Sequence, residues 1–237
     1  MSALDVPGAF NFRDVGGLPA RGGETRAGVL FRSGNLAHLT DDGRAAVAAL
    51  GIRRVVDLRD DGERRWEPSL LGDLPFDVVH LPMFAGSVAS FFDDDLSLAD
   101  LYRAIVDGSA SRLVEVVRAV VTAQPVLVHC TVGKDRTGVS VALALAAAGV
   151  DEDAVIADYA RTEALLPVAR NERILGFLRG TYPHARHLED LATRSPASAM
   201  RGVFDDLRAR YGGPVDYLRA HGLGDDEVAA LRRVLVG

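Results

Sequence analysis

A single cysteine, Cys130, stands in a chain of 237 residues that also has one tryptophan and only 6% aromatics. One cysteine excludes an internal disulfide, a CxxC redox pair and a cysteine-based zinc cluster. Long hydrophobic runs are missing as well. The longest apolar stretch, Val139 to Val150, is too short to cross a bilayer, so no integral membrane segment is expected. The N-terminal Met-Ser-Ala-Leu-Asp-Val-Pro-Gly lacks the basic region and apolar run of a secretory leader. A soluble, cytoplasmic protein is the expectation, with leaderless export left open. Basic residues are outnumbered, and the formal net charge of -6 argues against a general polyanion surface, so no nucleic-acid partner is expected and any affinity for phosphate must be local. No internal repeat, low-complexity tract or linker interrupts the chain. With 48% hydrophobic residues it can bury a substantial core, which predicts one domain over residues 1–237.

What is present is concentrated between Pro125 and Gly138, reading Pro-Val-Leu-Val-His-Cys-Thr-Val-Gly-Lys-Asp-Arg-Thr-Gly. Val126 to Val128 has the form of a short buried strand, and the alanine- and leucine-rich stretch after Gly138 has the form of a helix. Cys130 therefore sits on a strand-to-helix turn. The amides at a helix N-terminus lack intrahelical partners and carry the positive end of the macrodipole, which makes such a turn an anion site. Arg136 can return its guanidinium fork to the same anion. A lone cysteine without such flanks would read as a small buried hydrophobe.

Along the rest of the chain, residues 8 to 18 read as a short strand and turn, and Val29 to Ser33, Arg53 to Leu58 and Phe76 to Leu81 as strands. Thr40 or Asp41 can cap a helix over Arg44 to Leu50 that Gly51 stops. Helical periodicity marks Leu101 to Val106, Leu113 to Val121, Asp151 to Arg161, Arg170 to Leu178, Met200 to Tyr211 and Asp225 to Val236, with a break at Gly212-Gly213-Pro214. The prediction is an α/β fold, a central mostly parallel sheet flanked by helices with a helical C-terminal third. Functional groups of such sheets gather past the carboxyl ends of strands, where Asp57, Arg59 and Asp60 fall. Arg13 and Arg32 read as structurally paired or surface arginines more readily than as substrate ligands. The charged run Asp61 to Glu67 around Trp66 reads as a solvated helix start. Residues 84 to 98, with Phe91, Phe92 and Asp93 to Asp95, read as a loop or short lid, or as a plain acidic connector.

The chemistry follows from the residue types. A cysteine is nucleophilic as thiolate, and at its ordinary pKa of about 8.5 it is mostly protonated at neutral pH. The helix N-terminus and Arg136 both favour the anion, and the Thr137 hydroxyl can donate to it. Gly133 lets the backbone of Thr131, Val132 and Lys134 curl so that several amides converge on a phosphoryl group. Attack by Cys130 on phosphorus would give a phosphocysteine. The nucleotide-binding loop G-x-x-x-x-G-K-[ST] is excluded, because Asp135 follows Lys134. His129 points to the opposite face of its strand from Cys130, which suits orienting the loop better than proton transfer. The leaving oxygen needs a proton donor. Asp135 is nearest in sequence, followed by Asp57, then Asp60 and Asp93 to Asp95.

The stretch His129 to Gly138 resembles the signature of the Cys-x5-Arg protein tyrosine phosphatases, in particular the atypical bacterial branch with Lys-Asp in the loop, the PtpB-like phosphatases. Asn11-Phe12-Arg13-Asp14-Val15-Gly16-Gly17, Val56-Asp57-Leu58-Arg59 and Asp158-Tyr159 resemble the same branch. The resemblance implies a phosphatase fold, a phosphocysteine intermediate, no metal or other cofactor, and a proton-donor role for Asp135. It also implies phosphorylated protein or phospholipid substrates, with phosphoserine, phosphothreonine or phosphoinositides beside phosphotyrosine. Lys134 would then supply a second cation for additional phosphates. Asp158-Tyr159 continues as Ala-Arg-Thr where a leucine-rich continuation is usual, which puts a helical lid in question. The rivals are a non-catalytic phosphoprotein-binding module and a sulfurtransferase.

Overall fold

The computed structural model describes residues 4–83 and 88–237. The chain runs through strands β1 (Arg13–Asp14), β2 (Pro19–Ala20), β3 (Gly23–Glu24) and β4 (Leu30–Ser33), helix α1 (Asp41–Ala49), strand β5 (Arg54–Asp57), helix α2 (Asp61–Trp66) and strand β6 (Asp77–His80). Helices α3 (Val88–Asp93), α4 (Leu98–Gly108) and α5 (Ala110–Thr122) lead to strand β7 (Val126–His129). Helices α6 (Asp135–Ala148), α7 (Glu152–Ala160), α8 (Thr162–Leu165), α9 (Val168–Thr181), α10 (Leu188–Ala192), α11 (Ala197–Tyr211), α12 (Pro214–Ala220) and α13 (Asp225–Leu235) complete it.

The main sheet has the order β1-β4-β7-β5-β6. Only β1 is antiparallel to its neighbour; β4, β7, β5 and β6 pair in parallel, as the expected fold class requires. Register aligns Ser33, His129, Asp57 and His80 in one row at the carboxyl end. Side-chain alternation divides the core between the two faces. Leu30, Val56, Val126 and Val128 face the large helical layer, whereas Phe31, Val55 and Leu127 pack with Val47 of α1 in a smaller cluster. Parallel strands covered on both faces need the continuous apolar runs that β5 and β7 supply.

Helix α6 is the centre of the helical layer. Eleven of its residues, from Thr137 to Ala148, are buried, because alanines on every side let neighbours approach closely. It ends at Gly149, whose φ of 89° serves as the left-handed cap. Thr40 caps α1 by accepting from the Gly43 amide at 3.1 Å. The break at Gly212 to Pro214 separates α11 from α12, with Pro214 in the first turn of the latter. The expected segment 84 to 98 resolves in part: α3 carries the buried Phe91 and Phe92, and residues 84–87 lie outside the described residues. The β2–β3 hairpin and the short helices α8, α10 and α12 have no strong periodicity and were not expected.

Candidate active site

Cys130 follows β7 directly, at the end of the row formed by Ser33, His129 and Asp57, and its side chain lies on the α6 side of the sheet. The turn between β7 and α6 curls around its sulfur, with the Gly133 amide donating to Sγ at 3.2 Å. Two side chains from earlier in the chain, Asn11 just before β1 and Arg32 of β4, enforce that curl. Asn11 Nδ2 donates to the carbonyls of Val132 at 3.2 Å and Gly133 at 2.9 Å, and Arg32 Nη2 donates to the Gly133 carbonyl at 3.0 Å. With the carbonyls held on one side, the Gly133 amide is presented on the other. Gly133 has a φ of 72°, and a Cβ there would lie 2.2 Å from the Ser33 carbonyl oxygen, so only glycine fits.

Beneath the loop, Arg13 and Arg32 share one carboxylate. Arg13 Nε and Arg32 Nη1 each lie 2.8 Å from Asp158, and all three side chains are essentially inaccessible. Arg13 also donates to Thr162 Oγ1 at 3.1 Å and contacts Asn11 Oδ1. Burial and the neighbouring Arg32 bring Arg13 down to about 10, against the favourable pull of Asp158. These arginines support the loop from below, in the structural pairing the sequence favoured.

On the open side, Arg136 meets a partner that sequence reasoning passed over. Its Nη1 and Nη2 bind both oxygens of Glu63 at 2.6 and 2.7 Å, and Thr131 Oγ1 donates to the same carboxylate. Burial would raise Glu63, but hydrogen bonds from Arg136, that cation's charge and Thr131 together hold it at about 2. Glu63 is steadied by a reciprocal cap: its amide donates to Asp60 at 2.8 Å and its Oε2 accepts from the Asp60 amide at 3.0 Å. The expected solvated helix start therefore borders the site. The capping pattern Asp60-x-x-Glu63 was the available signal, but it announces a helix start and not a partner 73 residues away.

Asp135 reaches the same neighbourhood. Its Oδ1 accepts from Tyr102 at 3.0 Å and lies 3.0 Å from Lys134 Nζ. Lys134 departs from expectation. Its ammonium is buried and turned away from the mouth of the site, donating to the carbonyls of Asp190 at 3.0 Å and Arg194 at 2.9 Å. Two carbonyls and the Asp135 carboxylate surround the ammonium, so Lys134 fastens the loop to the end of α10 and does not face the chamber as a second cation. Thr137 Oγ1 is buried without a hydrogen-bond partner among the described residues. His129 lies on the α1 side, its Nδ1 3.3 Å from the Cys130 carbonyl oxygen and its Nε2 3.7 Å from Asp57. Burial lowers it to about 4 against the pull of Asp57, so its ring is neutral near pH 7.

Asp57 is buried and gripped by Arg59, at 2.9 and 2.7 Å. Burial would raise it, but the hydrogen bonds and charge of Arg59 keep it below the usual carboxylate range, and it does not line the chamber described next. Asp60 caps α2, and Asp95 is held by Arg186. Of the acidic candidates, Asp135 borders, with Thr131, Val132 and Arg136 of the loop, a chamber beside it.

That chamber has a volume of about 380 Å³ and is walled by Phe91, Phe92, Ile105, Ile174, Leu178 and Tyr182. A shallower trough of about 990 Å³ runs on the other side of α9, past Phe10, Trp66 and Pro167. Thr131, Val132, Arg170, Ile174 and Phe177 line both, so α9 covers the loop as a common wall.

Residues 4–237 match the family model described as the tyrosine phosphatase family. The chain belongs to that family. It is 32% identical over 281 aligned positions to the triple specificity protein phosphatase PtpB of Mycobacterium tuberculosis, covering 100% of both chains. It is 31% identical to a tyrosine-protein phosphatase of Nostoc commune, covering 87% of this chain and 74% of that one. Among solved structures, TpbA of P. aeruginosa in complex with phosphotyrosine matches 81% of this chain and 92% of its own at 19% identity and a TM-score of 0.42. The catalytic core of the PP-IP phosphatase SIW14 from S. cerevisiae matches 81% of this chain and 94% of its own at 14% identity, also with a TM-score of 0.42. The chain is thus a protein tyrosine phosphatase.

Proposed function

We propose that residues 1–237 act as a single phosphatase domain that hydrolyses phosphotyrosine through a phosphocysteine. The Sγ lone pair of Cys130 attacks phosphorus, the bond from phosphorus to the phenolic oxygen breaks, and the departing oxygen takes the proton of Asp135. A water molecule then gives its proton to Asp135 while its oxygen attacks phosphorus. The sulfur–phosphorus bond breaks, inorganic phosphate leaves and the thiolate returns. The loop amides and Arg136 bind the phosphoryl oxygens throughout, where charge develops.

The observation that carries this reading is the pairing of an amide-lined sulfur with an apolar chamber beside Arg136 and Asp135. Aromatic and aliphatic walls suit an aryl ring better than the polar surroundings of a phosphoserine or an inositol ring. The inward turn of Lys134 removes the second cation on which activity toward phosphoinositides was argued, so that activity and turnover of phosphoserine and phosphothreonine rank second. A phosphorylated protein is the favoured partner, acted on in the cytoplasm. A sulfurtransferase or a purely binding module would leave Asp135 without a task.

Phosphate release from a phosphotyrosine peptide, compared between wild type and Cys130→Ser, tests the proposal. Loss of turnover in the serine variant, with a phosphorylated cysteine trapped by acid quench of the wild type, is expected. Equal rates would end it.

A further inference from the structure

Asp135 is approached from behind by an ordered pair of phenols. Tyr102 of α4 donates to its Oδ1 at 3.0 Å, and Tyr102 is itself in a short hydrogen bond with Tyr159 of α7. Both phenols are inaccessible, at 1% and 0% exposure, and their rings meet edge to face with centroids 6.0 Å apart. Tyr102 has one proton. If that proton goes to Asp135, the bond between the phenols must be donated by Tyr159, which fixes the direction as Tyr159 to Tyr102 to Asp135. Burial and the nearby carboxylate push both phenols upward, so neither ionises in the working range.

The same oxygen of Asp135 faces Lys134 Nζ at 3.0 Å. Oδ1 therefore carries two donors, whereas Oδ2 has no hydrogen-bond partner among the described residues. The other charged groups around the carboxyl are Arg136 on its own helix, Glu63 of α2 and Arg170 of α9, which border the same chamber. None of them contacts Oδ2.

We propose that Tyr102 and Tyr159 are positioning residues for proton donation: with Lys134 they reserve Oδ1 as an acceptor, so that Oδ2 is the atom that carries the proton to the leaving oxygen and later receives one from water. This rests on Asp135 being the donor. An oxygen that already accepts a hydrogen bond and faces an ammonium is a poor place for a proton, and the same two contacts fix the torsion of the carboxyl.

The test is kcat for wild type, Tyr102→Phe, Tyr159→Phe and Asp135→Asn. Each is measured on phosphotyrosine, whose leaving group needs a proton, and on para-nitrophenyl phosphate, whose leaving group does not. On phosphotyrosine kcat should fall about tenfold in Tyr102→Phe, as the loss of one hydrogen bond that holds the donor predicts. It should fall by less in Tyr159→Phe, with little change for either variant on para-nitrophenyl phosphate. A Tyr102→Phe kcat that equals wild type on phosphotyrosine, or that falls equally on both substrates, overturns the proposal. If circular dichroism shows Tyr102→Phe unfolded, Tyr159→Phe is judged by the same criterion. If Asp135→Asn turns over phosphotyrosine as fast as wild type, Asp135 is not the donor and both ideas fall. If it loses phosphotyrosine turnover while the tyrosine variants keep the wild-type kcat, the donor stands and only the positioning role is lost.

Discussion

Two arginine–carboxylate clusters grip the same loop, one from beneath and one at its rim. Beneath, Arg13 and Arg32 close on Asp158 with at most 1% exposure. At the rim, Arg136 closes on Glu63 with 14% and 22% exposure. The lower cluster has no route to substrate, and removing one partner would strand charges without water, so it serves shape alone. The upper cluster borders the chamber, and its arginine keeps Nε free of hydrogen bonds among the described residues. Similar chemistry at two depths thus divides into foundation and working part, and burial makes the difference.

Substitutions should separate the two. Asp158→Ala is expected to cost about 3–5 kcal/mol in denaturant unfolding, since two buried guanidinium groups lose their counter-charge. A loss under 1 kcal/mol would show that the lower cluster is no foundation. Arg136→Lys should leave the unfolding midpoint nearly unchanged and lower kcat on phosphotyrosine by about 10²–10³, because a point charge cannot bridge phosphoryl oxygens as a fork does. The buried His129 offers an intermediate case. Its proton affinity is depressed from 6.5 to about 4 on folding, so the unfolded chain takes up a proton first as pH falls. Stability is then full above pH 6.5 and declines toward pH 4 by about 3 kcal/mol. Urea titrations across that range should show the decline in wild type and its reduction in His129→Gln. The smallest effect belongs to Glu63→Gln, which keeps hydrogen-bonding atoms but loses the charge. Steady-state kinetics should give a fall of about tenfold in kcat/KM with fold stability retained.

The ease of reading differed along the same line. The loop from His129 to Gly138 was legible because nucleophile, glycine, acid and arginine are contiguous, and the flanking strand and helix announce themselves by periodicity. The parallel sheet followed from the apolar runs of β4, β5 and β7. Glu63 stayed hidden because its meaning depends on α2 folding back over the loop, which a charged run does not reveal. Lys134 was misassigned for a related reason: its identity is plain, but its direction is set by free carbonyls at Asp190 and Arg194, far along the chain. Asn11 and Tyr102 likewise gain their roles only when β1 and α4 are brought against the loop.

The chamber that adjoins Arg136 has one more consequence, for how substrate arrives. The charged residues that line it are Glu63, Asp135, Arg136 and Arg170, two of each sign, within a chain of formal charge -6. Such a mouth projects little field into solvent, so a phosphorylated partner is not drawn in from a distance. Capture is paced by diffusive encounter and by the fit of an aromatic ring against apolar walls that include Phe92 and Ile174, and added salt has little attraction to screen.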